Sequence, residues 1–213
     1  LGVSVVSHPG VTPETLIIRS TAVTAITLLH IILLIGPLTR LDKRFLPLLY
    51  NRRHLGVTMF LLAAVHGIFS TLQFHAFGNK NPIVSMLTAY WHSYNPSAGV
   101  ANFPFEIFGA IALLILFLMA ATSHDFWLKN LGASFWKCMH MLVYVAYGCL
   151  VVHVAFGALQ YERGLAYPLM IALGFVTLIG VHLLAAAREA KLDRNVVRAE
   201  ADGFAFACDA SDV

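Results

Sequence analysis

An all-α protein, a polytopic transmembrane helical bundle of about five spans, follows from three features of this chain. Of its 213 residues 59% are hydrophobic and only 12% are charged, with a mean hydropathy of +0.76, whereas a water-soluble domain carries about a quarter charged residues. The charges cluster between long apolar runs rather than inside them. No segment reads as a strand.

Crossing a bilayer as a helix takes about 20 apolar residues. Such windows fall at Thr15–Leu38, Leu55–Phe77, Phe105–Ser123, Ser134–Leu159 and Leu165–Ala187. The expected organisation is an external segment over residues 1–14, a transmembrane domain over 15–187, and a polar tail over 188–213. The first residue is Leu rather than Met, and LGVSVVSHPG lacks a charged stretch followed by a long apolar core, so no signal peptide is visible and a further helix upstream is expected. The tail REAKLDRNVVRAEADGFAFACDASDV is mixed in charge and ends in a short alternating stretch, as a linker entering a soluble domain would.

Orientation follows from the basic residues, which stay on the cytoplasmic side. Arg40, Lys43, Arg44, Arg52 and Arg53 lie after the first span, Lys129 and Lys137 before the fourth, and Arg188, Lys191, Arg194 and Arg198 after the fifth. Only Arg19, Lys80 and Arg163 fall on the other side, which places the start of this chain outside and its tail in the cytoplasm. The second and fourth spans then run in the same direction. The longest connection, about Gly78 to Pro104, is external, and its Tyr90, Trp91 and Tyr94 suit an interfacial aromatic belt.

Histidines carry the functional signal. An imidazole in the bilayer is costly and is by default a functional hypothesis. His140 and His153 stand thirteen residues apart in one apolar run and His66 lies in a comparable one. By the helical rise, His66 lies about 18 Å beyond His54 and His153 about 24 Å beyond Lys137, so these two are expected to meet in the outer half of the membrane. Two such nitrogens on opposite faces of a porphyrin are what a bis-imidazole heme needs. His140 lies roughly 20 Å from His153 along the axis, where it would serve a second, inner heme. Its candidate partners are His54, His30 and His182, with His54 at a similar depth. His75, near the outer end of the second span, reads as interfacial.

Cys138, Cys149 and Cys208 form neither a CxxC pair nor a CxxCH attachment sequence, so any heme would be held by coordination and packing alone, as heme b. Its anionic propionates seek cations. Arg19 opens the first span at the outer face, and Arg52, Arg53 and Lys137 stand at the inner one. Tyr144, one turn after His140, is placed to pack on a ring or donate a hydrogen bond, while Gly56, Gly109 and Gly148 permit close approach of helices or a flat macrocycle.

Three stretches, IIRSTAVTAITLLHIILLIGPLTRL, NRRHLGVTMFLLAAVHGIFSTLQF and LGASFWKCMHMLVYVAYGCLVVH, together resemble the ferric reductase-like transmembrane domain superfamily, most closely the heme-binding membrane subunits of methionine sulfoxide reductase systems. The likeness covers roughly Leu16 to Ala187. It implies that His66, His140 and His153 are heme ligands, with His66 and His153 sharing one heme; by the similar four-histidine arrangement of NADPH oxidases, His54 would be the fourth. It also implies a bacterial inner membrane and six spans, where five are visible. GFAFACDASDV weakly resembles the opening strand of a Rieske iron–sulfur domain.

The expected function is electron transfer across the membrane on one or two b hemes, from a cytoplasmic or quinol donor to an acceptor outside, as a component of an oxidoreductase. Its redox partner would be a protein or domain carrying flavin or a Rieske cluster, with quinone a further candidate and nothing pointing to nucleic acid. The rivals are a non-redox transporter lined by histidines and a structural subunit of a membrane complex. Every Asp and Glu lies in a connection, tail or helix end, which leaves a proton relay without acidic partners.

Overall fold

The computed structural model describes residues 12–79, 81–93, 105–157 and 166–209, with the side chains of 89–93, 166–167 and 199–209 outside that description. Residues 1–11, Lys80, Tyr94 and Arg163, and the side chains of Tyr90 and Trp91, therefore lie outside the described parts.

The first apolar run becomes α1, Pro13–Leu41. Thr12 caps it by accepting from the Thr15 N–H, and Pro13 stands at the first turn, where a missing N–H costs nothing. Thr21, Thr24 and Thr27 return their hydroxyls to carbonyls of their own helix, which satisfies them without water. Asp42 turns extended and ends the helix, then accepts from Arg44 N to shape a single 3-10 turn over Lys43–Phe45. Next comes α2, Leu46–His75, which starts before the expected Leu55 because Asn51, Arg52 and Arg53 extend the helix rather than the connection.

Within the long connection lies α3, Pro82–Ser93. It is followed by α4, Phe105–Ala121, and after a 91° bend by the short α5, Asp125–Leu131. His124 caps α5 and Gly132, at φ 78°, makes the left-handed turn into α6, Ala133–Met141. The Trp136 indole N–H donates to the Thr122 carbonyl that the bend exposes. A tight turn at Leu142, whose N–H bonds the Met139 carbonyl, separates α6 from α7, Val143–Phe156. The last helix is α8, Ala166–Asp209, 44 residues without a break. The expected extended ending is therefore helical as far as Asp209: propagation from an already nucleated, Ala-rich helix outweighs the Phe204–Phe206 alternation.

Among the described residues there is no strand. Four helices are long and apolar enough to cross a membrane, five if α4 with its bent continuation counts as one span. The tightest pairings are α1 with α2 and α4 with α7, with α8 lying on α1. α1 is the hub: 44% of its apolar window is buried, against 6% for α2. Leu29, Leu33, Met59, Ala112, Ala146 and Leu178 bring five helices to one core, while Ile68, Leu114, Leu173 and Val176 point outward as lipid-facing side chains do.

Inside that core the His30 Nε2 accepts from the Tyr147 hydroxyl at 3.0 Å. A Cβ at Gly174 would stand 2.5 Å from the same imidazole, so glycine is what lets α8 close on α1. Arg53 pairs with Asp125, Arg40 with Glu189 at 3.3 Å, and Arg188 donates to the Leu41 carbonyl. These contacts define a basic end of the bundle. The Arg53 guanidinium holds the Asp125 carboxyl below its usual range; this pairing is present above the ordinary carboxylate value and is lost only as pH falls through the lowered one.

Replacing Tyr147 by Phe leaves His30 Nε2 buried without a donor. The expected cost is about 1–3 kcal/mol, read as a lower melting temperature of the detergent-purified protein.

Candidate intramembrane histidine site

On the membrane helices five histidines, His30, His66, His140, His153 and His182, have Nδ1 facing a main-chain carbonyl. The partners are Ile26 for His30 at 2.8 Å, Ile18 for His66 at 3.0 Å, Trp136 for His140 at 3.0 Å, Phe105 for His153 at 2.8 Å and Leu178 for His182 at 2.9 Å. A carbonyl can only accept, so Nδ1 carries the proton and the neutral ring presents a lone pair at Nε2. What meets that second nitrogen distinguishes the five.

His30 and His182 accept hydroxyls there, from Tyr147 and from Tyr144 at 3.3 Å. Both are thereby satisfied as hydrogen-bonding links between helices. Tyr144 is thus occupied by His182 rather than by His140. His140 itself stacks on Trp136, ring centroids 3.8 Å apart, with the Arg52 charge acting on it. His54 is exposed at the basic end of α2 and makes no hydrogen bond among the described residues. No hydrogen bond or ring contact joins His54 to His140 among the described residues.

His66 and His153 differ from the other three in the source of the carbonyl. His30, His140 and His182 bond the residue four before them on their own helix. His66 instead reaches across to α1 and His153 across to α4. The two rings stand 6.4 Å apart between centroids, at 78° to each other. Metal–imidazole bonds of about 2.0–2.1 Å would suit two rings at about this spacing sharing one ion. Two neutral imidazoles, each fixed through Nδ1 by a backbone carbonyl, also match the outer shell that metal-bound histidines ordinarily have. The donor set fits a bis-histidine heme.

Glycine makes the approach. A Cβ at Gly109 would lie 2.6 Å from His153 Nδ1, and one at Gly157 would lie 2.6 Å from the Phe105 ring, which packs on His153 at 5.5 Å. Gly56 and Gly148 have nothing within 4 Å of such an atom. Arg19 is half-buried on α1, one residue after the Ile18 carbonyl that holds His66. Arg53 is committed to Asp125, and Arg52 lies over Gly36 on α1. At the end opposite the basic one, His75 joins three helices, with Nδ1 3.1 Å from the Ser85 hydroxyl and Nε2 3.5 Å from Glu106.

Residues 21–151, from within α1 to within α7, match the family model described as ferric reductase like transmembrane component, a stretch that encloses His66 and ends two residues before His153. The chain belongs to this family. It is also 31% identical over 145 residues to the protein-methionine-sulfoxide reductase heme-binding subunit MsrQ of Herminiimonas arsenicoxydans, an alignment covering 68% of this chain and 59% of that relative. The chain thus spans about three fifths of the length of the curated relative it matches. No solved structure matches. In this ferric reductase-like bundle, sequence reasoning found the histidine pair but missed the Ile18 and Phe105 carbonyls, because a backbone acceptor leaves no trace in residue type.

Gly109→Val drives two methyl groups into the space of the His153 ring and is expected to abolish most heme retention, whereas Gly148→Ala, which meets nothing, leaves it unchanged. Heme per chain after purification, by pyridine hemochrome, separates the two.

Proposed function

We propose that the chain holds one b-type heme between His66 and His153 and serves as an electron-transfer component of a membrane oxidoreductase. The observation that carries this reading is the pair of imidazoles, each anchored through Nδ1 to a carbonyl of another helix, whose ring centroids stand 6.4 Å apart. The name of the relative as a heme-binding subunit supports it, and the missing CxxCH sequence supports attachment by ligation alone. When bound, the group supplies a one-electron ferric–ferrous couple.

The chain's own residues set the conditions for that couple. Ile18 and Phe105 fix both imidazoles as neutral Nδ1–H tautomers and strengthen them as donors. Apolar side chains on α1, α2, α4 and α7 exclude water, and a low dielectric disfavours additional charge at the iron. Arg19 contributes a positive charge at the same level. With Lys and Arg gathered at the basic end, that end lies in the cytoplasm and the histidine pair lies toward the outside of a bacterial inner membrane.

A single heme near the outer face suits a donor that arrives within the membrane, such as a quinol, and an acceptor outside. The relative is named as a subunit of a protein-methionine-sulfoxide reductase, so the acceptor in this reading is a separate catalytic protein. His140 has Trp136 rather than a second histidine beside it, which favours one heme over two.

A dithionite-reduced minus oxidised spectrum of the purified protein is expected to show a b-type α band with close to one heme per chain. His66→Ala and His153→Ala each lose the low-spin signal, and His54→Ala leaves it intact. A stoichiometry near two would restore an inner site at His140, and no pigment at all would favour a transporter or structural role.

A further inference from the structure

Among the described residues, one buried side-chain polar atom has no hydrogen-bond partner. The Gln73 side-chain oxygen is sealed from solvent and accepts no hydrogen bond, although the Gln73 Nε2 donates to the Thr15 hydroxyl at 3.2 Å. Leaving a buried amide oxygen unmet costs about 1–3 kcal/mol, so its position matters. Gln73 is seven residues after His66 on α2, two helical turns farther from the basic end and on the same face to within about 20°. Met59, seven residues before His66 on that stripe, is buried in the core. Across from the stripe, α1 presents Ile18 to His66 and Thr15 to Gln73.

The polar atoms around Gln73 form an ordered chain. The Thr12 and Thr15 hydroxyls lie 3.1 Å apart. A half-turn of the amide exchanges its oxygen and nitrogen at little cost. Thr12 then donates to Thr15, Thr15 donates to the Gln73 oxygen, and the Gln73 NH2 faces the place where the oxygen had no donor. Every member is satisfied once an acceptor stands there. A group ligated through His66 and His153 with its acidic edge toward the same end would bring a carboxylate to that level, and Arg19, one turn along α1 from Thr15, adds positive charge nearby.

We infer that the Gln73 amide, backed by Thr15 and Thr12, binds a propionate carboxylate of the heme held by His66 and His153. The inference rests on the proposed function, and it assigns to α2 both an axial ligand and a carboxylate donor two turns apart.

The test is heme transfer from the full-length purified protein to excess apomyoglobin, with the low-spin spectrum as the check that the histidine pair is intact. Gln73→Leu is expected to speed heme loss about tenfold, the value of a hydrogen bond to a charged acceptor. Gln73→Glu is expected to speed it further, and Gln73→Arg to hold heme at least as well as the parent. A role in packing alone predicts a different order, with Leu retaining heme best because it removes the unmet amide, and Arg and Glu equally poor. That order, or equal rates in all variants, overturns the inference while leaving the histidine site standing. A parent protein without heme overturns both.

Discussion

The hydrogen bond from histidine Nδ1 to a main-chain carbonyl is the interaction on which the rest of this bundle depends. A lipid environment offers an imidazole no water, so His30, His66, His140, His153 and His182 each take a first partner from the backbone. That bond fixes the tautomer and leaves one nitrogen with a lone pair pointing in a defined direction. Tyr147 and Tyr144 meet that nitrogen on His30 and His182 and turn those residues into links between helices. His66 and His153 bond carbonyls of other helices, Ile18 and Phe105, and their rings stand side by side with no hydroxyl on Nε2 among the described residues. The same residue type thus meets its surroundings in two ways, according to which helix owns the carbonyl.

Small residues set how near those rings come to their neighbours. Gly174 lets α8 close over His30, and Gly109 lets the His153 ring lie against α4. In both cases the side chain that fills the space belongs to the histidine, so adding a methyl group would displace the ring rather than merely separate two helices. Elsewhere on α1, Leu29, Leu33 and Ile35 are themselves fully buried.

Much of this was legible in the amino-acid sequence, for physical reasons that can be stated. Each of the five apolar windows contains a helix because hydrocarbon permits little else, and the depth arithmetic brought His66 and His153 to one level because a helix advances by a constant rise. What stayed hidden depended on partners distant in sequence. His30 finds Tyr147 117 residues away, and nothing local to either residue encodes that meeting. Arg53 looked like a clamp for an anion, yet the bend after α4 swings Asp125 to it. The turn at Leu142 breaks the regular rotation between His140 and His153 that an unbroken helix would have kept. The tail's alternating letters competed with a helix already rooted in the membrane, and the helix won.

Synthesis order gives the pairing of helices a further meaning. Along the chain α1 and α2 are joined through Ile18 and His66, and α4 and α7 through Phe105 and His153. The two imidazoles therefore belong to two helix pairs, one early in the sequence and one late. A group that bound both nitrogens would act as a staple between those pairs, holding together parts of the chain that are made at different times.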